Sequence, residues 1–135
     1  MGMMRTIMAL RIVRLGSPRH PHEGLRLGTV RRPPRGVPKA EFASRDFYDV
    51  WLPNLAPSDA LLKAGLSARD ARSWALFKRG YLAEMKAPDA SRLLDLVAAL
   101  SHRTNLSVGC YCADESRCHR SLLRELLQNR SADIA

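Results

Sequence analysis

Long hydrophobic runs, cysteines and aromatic residues are all scarce in this sequence. No apolar run approaches the roughly 18 residues that a membrane-spanning helix needs, so we expect no membrane association. Only 3 of the 135 residues are cysteine, and all lie within nine positions. An odd, bunched set of this kind does not fit the disulfide framework of a small secreted domain. These absences favour reduced thiols.

We expect no secretory signal either. The apolar run at residues 6–10 is cut by Arg11 and Arg14, and no small-residue cleavage site follows it. A chain of 135 residues is long enough for one globular domain with its own core and too short for two ordinary ones. We therefore predict one cytoplasmic domain that covers residues 1–135.

Acidic residues are rare in the first third of the chain. Residues 1–45 hold ten Arg or Lys against only Glu23 and Glu41, a net charge of +8, whereas the other ninety residues total +1. Two interpretations stay open: solvated charge on an exposed face, or a basic surface for phosphate or another polyanion. Arginine outnumbers lysine 18 to 4. Because guanidinium groups suit bidentate phosphate contacts, this ratio favours the second interpretation.

What is present is a series of short periodic segments. Alternation predicts strands over residues 7–15, 25–30 and 106–113, and spacings of three and four predict helices over residues 38–53, 59–65, 67–87, 89–100 and 118–127. Ser58 is the predicted N-cap of the second of these helices. This order indicates a small single-domain α/β fold, with a short, mostly parallel sheet flanked by helices.

Several of these segments carry predicted buried stripes. Trp51 is expected in the core, and the last strand, with small or apolar residues on both faces, is expected to be central and covered. The helix stripes are formed by Trp74, Phe77, Tyr81 and Met85, by Leu93, Leu96, Val97 and Leu100, and by Leu122, Leu123, Leu126 and Leu127.

All three cysteines lie where the last strand turns into the last helix. Cys118 is predicted at the helix start, where free backbone N–H groups and the neighbours Arg117, His119 and Arg120 attract anions and lower a thiol pKa. Three roles for Cys118 stay open: a nucleophilic thiol, a buried structural cysteine or a metal ligand. Because successive helical side chains diverge by about 100°, His119 is expected on the apolar face and not beside Cys118.

A metal site is a weaker prediction. Cys110, Cys112, Cys118 and His119 form a Cys3His set, but residues two apart on a strand do not match the paired spacing of zinc sites. Their convergence requires a bent strand. A Cys112–Cys118 disulfide is an alternative, although a reducing cytoplasm opposes it. We therefore expect no bound metal and no cofactor.

Five stretches together resemble a known family. They are Gly24 with Arg26 and Arg31, then P-R-G at residues 34–36, W-L-P-N-L-A-P-S at residues 51–58, Phe77 with Y-L-A-E at residues 81–84, and C-A-D-E-S-R-C-H-R-S at residues 112–121. The chain resembles the domain of unknown function 488 family, in particular its YeaO-like branch, with the C…CHR signature of other members. The resemblance implies a small cytoplasmic α/β protein of prokaryotic type. Val30 and Pro33 stand where that branch usually has Asp and Trp, which puts an activity that uses the Asp in doubt.

The leading functional hypothesis is an anion site, with Cys118 as candidate nucleophile and His119 as a second candidate catalytic residue. Its ligand-binding residues are Arg31, Arg35, Arg117 and Arg120, and its supporting residues are Cys112, Ser121, Tyr81 and Glu84. The expected partner is a phosphate-bearing small molecule or a nucleic acid. One alternative is a non-catalytic nucleic-acid-binding module that uses the basic first third, and another is a metal-stabilised or redox-switching interaction protein.

Overall fold

A single parallel sheet organises the protein. The structure is a computed structural model that describes residues 8–135, and all of their side chains except that of Arg117. Its strands are β1 (Leu10–Arg14), β2 (Leu25–Gly28), β3 (Val50–Trp51) and β4 (Leu106–Cys110). All pairings are parallel and the strand order is β1-β4-β2-β3. The predicted α/β fold is therefore confirmed, while Ile7, where the first strand was predicted to begin, lies outside the described residues.

Four α-helices connect and cover these strands. They are α1 (Asp59–Leu66), α2 (Ala71–Glu84), α3 (Pro88–Leu100) and α4 (His119–Gln128), and short 3₁₀ turns lie at Lys39–Glu41, Pro53–Leu55 and Glu115–Arg117. Among the helices of the described part, none combines the length and the apolarity needed to cross a membrane.

β4 lies at the centre of the sheet, and all five of its residues are buried. This confirms the prediction of a covered central strand. Leu106 and Val108 pack in the main core with the buried stripes of α2, α3 and α4. Gly109 is required by a close approach, because a Cβ there would lie 2.6 Å from the Val13 carbonyl oxygen of the neighbouring strand. A second, smaller cluster holds Cys110 and lies near the end of β4.

The helix predicted over residues 38–53 is wrong. Only one 3₁₀ turn forms there, and the segment ends in β3, whose Val50 pairs with Leu27 of β2. Asp46 has a φ of 62°, which a continuous right-handed helix does not allow. Trp51 is 43% exposed instead of buried, and its indole N–H donates to the Val30 carbonyl. Sheet pairing thus overrides the local helical pattern.

The predicted helix starts and stripes are largely confirmed. Ser58 caps α1, accepting a hydrogen bond from the Leu61 amide, and Phe77 and Tyr81 of α2 are buried. α2 begins one turn later than predicted, because Asp70 and not Ser67 caps it. The predicted buried stripe of α3 is wrong at Leu96, which is 53% exposed. Leu94, on the same face as the buried Ala98, is completely buried instead.

A buried ion pair ties β2 to the loop before it. Arg26 is completely buried, and its guanidinium binds both carboxylate oxygens of Glu23 at 2.6 and 2.9 Å. The Ser107 hydroxyl also donates to Glu23, and Arg26 donates further to two carbonyls, those of Ser17 and Asp46. Part of the positive charge in the first third is therefore neutralised inside the fold.

Candidate functional site

The candidate site lies at the C-terminal edge of the parallel sheet. There the ends of β2 and β4 meet the start of α4, the kind of edge at which open α/β sheets bind ligands. α4 begins at His119, and Cys118 is its N-cap with extended backbone. The loop between β4 and α4 includes the 3₁₀ turn Glu115–Arg117.

The three thiols converge at this edge. The Sγ atoms of Cys110, Cys112 and Cys118 all lie within 4.8 Å of one another, and none is in a disulfide. The chain achieves this because β4 ends at Cys110, so that Cys112 lies in the following loop and not on a straight strand. The sequence-based objection to convergence, which assumed that the strand continues to residue 113, therefore does not hold.

His119 is buried on the apolar face of α4, as its spacing to the leucines indicates. Its Nε2 lies 2.7 Å from the Thr29 carbonyl oxygen, and its Nδ1 lies 3.7 Å from Cys118 Sγ. A carbonyl only accepts, so Nε2 carries the proton and Nδ1 presents a lone pair to the thiols. Burial lowers the pKa of His119, which keeps the ring neutral. The predicted divergence of Cys118 and His119 fails because Cys118 precedes the helix.

Arg120 faces inward rather than toward solvent. Its side chain is 4% exposed, and one terminal N–H donates to the Cys112 carbonyl. Its Nε is buried with no hydrogen-bond partner among the described atoms. A fixed positive charge with a free donor therefore lies behind the thiol-bearing loop.

The three thiols differ in acidity and exposure. The pKa of Cys112 is lowered by its interaction with the thiols of Cys110 and Cys118, and by His119 and Arg120 nearby. The pKa of Cys110 is raised by its interaction with the other two thiols and by burial. At Cys118 the bond with Cys110 lowers the pKa, but the bond with Cys112 and burial raise it overall. Cys112 is half-buried, whereas the other two are buried.

A pocket of about 210 Å³ opens onto the thiols. Its exposed surface is almost entirely apolar, and its lining residues are Val30, Arg31, Arg32, Pro57, Leu62, Leu66, Cys110, Tyr111, Cys112 and His119. Two lining residues are held in place by hydrogen bonds to the backbone. Arg31 donates to the carbonyls of Ala56 and Pro57, and the Tyr111 hydroxyl donates to the Arg32 carbonyl. The pocket thus joins a thiol to the arginines that follow β2.

The remaining predicted site residues lie at varying distances from this pocket. Arg35 is exposed and does not line it, and the Arg117 side chain lies outside the described part of the structure. Tyr81 packs against His119, with ring centroids 5.6 Å apart. Ser121 donates to the Cys118 carbonyl. Glu84 accepts from the Ser58 amide and stabilises the start of α1, away from the thiols.

The sequence did not point to Thr29 or Tyr111. Thr29 follows β2, accepts from His119 and donates from its hydroxyl to the Gly109 carbonyl at 2.9 Å. Both residues lie near the C-terminal end of a predicted parallel strand, and this position could have marked them as site residues, because the ends of parallel strands lie together at one edge of the sheet. The choice among several such positions needs the strand order, which the sequence does not give.

Comparison with known proteins identifies the family. A family model described as "Active DUF488-N3 subclade" matches residues 10–131. Searches of the curated proteins and of the solved structures found no match. The matched range includes all four strands, all four helices and the thiol-bearing loop. The chain therefore belongs to the DUF488 family.

Proposed function

We propose that this protein is a thiol-dependent enzyme that binds an anionic small molecule in the pocket at the sheet edge. One observation carries the proposal: Cys112, the one thiol of the three that is not fully buried, lines the same pocket as Arg31 and Arg32. Cys112 takes the place of Cys118 as nucleophile, because Cys118 is 3% exposed and does not line the pocket.

The size of the pocket favours a small molecule over a whole nucleotide, and its almost entirely apolar lining leaves Arg31 as the group that would bind the charge of the ligand. At about 210 Å³ the pocket lies below the 300–1,000 Å³ typical of small-molecule sites. Two of the three guanidinium nitrogens of Arg31 are held by carbonyls, which leaves further N–H groups for a phosphate or carboxylate. A phosphate-bearing molecule can therefore place its charged group at Arg31 and an electrophilic atom at Cys112.

The chemistry in this proposal is nucleophilic attack by the Cys112 thiolate on the electrophilic atom of the ligand: the bond from sulfur to that atom forms as the bond to the leaving group breaks, and the leaving group departs with the bonding electron pair. The family description calls the matched subclade active, which agrees with an enzyme. A cytoplasmic location belongs to the proposal and is supported by three cysteines that carry no disulfide.

Selective alkylation tests the proposal. We expect limiting iodoacetamide to modify Cys112 at least about tenfold faster than Cys118, located by peptide mass spectrometry, since a thiol must be accessible to react. Inorganic pyrophosphate, used as an anionic probe, should slow this modification. Arg31→Gln should abolish the protection, whereas Arg35→Gln, an exposed arginine outside the pocket, should retain it.

Two results would contradict the proposal. One is faster modification of Cys118 than of Cys112 in the folded protein. The other is protection by pyrophosphate that Arg35→Gln and Arg31→Gln reduce equally, because that places the anion elsewhere. Circular dichroism of each variant verifies that the fold is retained.

The nucleic-acid-binding alternative has less support. Arg19 and Arg26 form ion pairs with Asp49 and Glu23, and Arg32 pairs with Asp59. These pairs use charge that a phosphate-binding surface would need. No observation on the described surface favours this alternative over the pocket.

A further inference from the structure

We propose that the three thiols and His119 form a zinc site, an inference that goes beyond the proposed function. In a tetrahedral site with Zn–S bonds of about 2.3 Å, the sulfur atoms lie about 3.8 Å apart. The Sγ atoms of Cys110, Cys112 and Cys118 already lie within 4.8 Å of one another. Shifts of about 1 Å or less, which side-chain rotations supply, bring them to coordination distances.

We assign His119 as the fourth ligand, which requires a larger movement, because the set of atoms within 4.8 Å of one another holds the three thiols and not a His119 nitrogen. Its Nδ1 lies 3.7 Å from Cys118 Sγ, close to the edge of about 3.6 Å between nitrogen and sulfur ligands of a tetrahedral zinc. The bond from Nε2–H to the Thr29 carbonyl, 2.7 Å long, leaves the Nδ1 lone pair unprotonated. A backbone carbonyl that orients a histidine through its other nitrogen is the usual outer partner of a zinc ligand.

The surroundings suit the charge of such a site. Three thiolates and one Zn²⁺ carry a net charge of −1, and Arg120 places a guanidinium, 4% exposed, against the loop that carries Cys112. The unpartnered Nε of Arg120 is available to a thiolate sulfur. A buried cation without a carboxylate partner is costly by itself, and an anionic metal centre beside it removes that cost.

The donor set selects the kind of metal. Thiolate and imidazole are soft or borderline ligands that prefer Zn²⁺ over Mg²⁺ or Ca²⁺, and four donors in a tetrahedron are typical of zinc. Binding releases one proton from each neutral thiol. A metal-bound cysteine is held as thiolate, but zinc in this closed site would occupy the Cys112 sulfur. The zinc-bound and the nucleophilic forms of Cys112 are therefore alternatives, and the alkylation test of the proposed function is made on reduced, zinc-free protein.

Metal reconstitution of the full chain tests the site. The reduced, chelator-treated protein should bind one Zn²⁺ with a dissociation constant below about 1 μM, as structural zinc sites do. Co²⁺ in its place should give the strong visible bands of a tetrahedral ion and thiolate-to-metal charge-transfer absorption. A dissociation constant above that value, or a weak octahedral Co²⁺ spectrum, would overturn the proposal without any variant.

Variants then assign the ligands. Cys110→Ser and His119→Gln should each weaken zinc binding by at least about 100-fold. Loss of a ligand should cost at least as much as the largest losses caused by removing a residue that only hydrogen-bonds to a ligand. His102→Gln, at an exposed histidine that contacts Ser131, should leave it unchanged. Equal loss in His102→Gln would mean surface binding and would refute the assignment.

Cys110→Ser also separates the two proposals. Zinc binding requires Cys110, whereas selective alkylation at Cys112 requires only the accessible thiol and its pocket. If bound zinc slows alkylation of Cys112 in the wild type but has no effect in Cys110→Ser, and the zinc-free variant still reacts selectively at Cys112, both proposals stand. If wild-type protein binds no zinc while Cys112 still reacts selectively, the metal site alone is refuted.

Discussion

Thr29 holds two parts of the candidate site in place, one through its backbone carbonyl and one through its side chain. Its carbonyl accepts from His119 Nε2, and its hydroxyl donates to the Gly109 carbonyl. The first bond fixes which imidazole nitrogen faces the thiols, and the second joins the end of β2 to β4. Because the bond to His119 uses the carbonyl, the tautomer of His119 does not depend on the Thr29 side chain.

Glu23 and Arg26 are the residues whose loss should cost the most stability outside the thiol site. Both are buried and joined by two hydrogen bonds. Glu23→Gln removes the charge partner and leaves a buried guanidinium uncompensated, which typically costs about 3–5 kcal/mol. We expect a lower free energy of unfolding by about this amount in urea denaturation monitored by circular dichroism.

Glu41→Gln is the matched control for this change. Glu41 is exposed and lies in the 3₁₀ turn at Lys39–Glu41, so its replacement should alter the free energy of unfolding by less than about 0.5 kcal/mol. If both variants lost the same stability, the buried pair would not have the importance that its geometry indicates.

At the scale of elements, the spacing of apolar residues predicted those helices and strands whose apolar residues pack in the core. The buried stripe of α2 and the central position of β4 followed from the sequence because the same residues that set the pattern form the core. The edge strand β3 did not, since it has two residues and depends on pairing with β2. The convergence of the thiols was missed because it depends on where β4 ends, and strand ends are set by tertiary contacts.

Helix capping offers a direct comparison between a confirmed and a failed prediction. Ser58 accepts a hydrogen bond from the Leu61 amide at the start of α1, whereas Ser67, predicted to start the next helix, lies at the C-terminal end of α1. Ser58→Ala should therefore lower the free energy of unfolding by about 1 kcal/mol. Ser67→Ala should leave it nearly unchanged in the same thermal and urea measurements.

A larger loss in Ser67→Ala than in Ser58→Ala would contradict this assignment. Asp70, which accepts from the Ser73 amide at 2.7 Å, explains why Ser67 is dispensable: the first turn of α2 already has its cap.

At the scale of the whole molecule, the net charge of +9 is the balance of 22 basic and 13 acidic residues, and it does not show which arginines are paired. Arg124 and Arg130 pair with Glu115 and Asp95, in addition to the pairs made by the first third. The sequence shows the number of charges, but which arginines are neutralised depends on contacts such as Arg130 with Asp95, 35 positions apart. Composition alone therefore cannot show which arginines a polyanion could contact.

Because of these ion pairs, the free energy of unfolding should depend on pH in the acidic range. Burial raises the pKa of Asp49, but hydrogen bonds and charges from Arg19 and Arg26 outweigh it, and the pKa of Asp49 is lowered. The pKa of Glu23 is lowered in the same way, burial being outweighed by Arg26 and Ser107. Arg124 lowers the pKa of Glu115. Each carboxylate is therefore charged in the fold at a pH where the unfolded chain is already protonated.

The sign of the effect follows from proton binding. Between the folded and the unfolded pKa the unfolded state binds more protons, so stability is present above the ordinary carboxyl pKa of about 4 and is lost as pH falls below it. We expect the free energy of unfolding, measured in urea with a chelator present, to fall steadily from about pH 5 to pH 3. Asp49→Asn removes one of these carboxylates, so it should be less stable at pH 6 and yet lose less stability over that interval than the wild type. An equal loss in both proteins would show that Asp49 is not one of the groups that titrate, because every other titrating group is shared and cancels in the comparison.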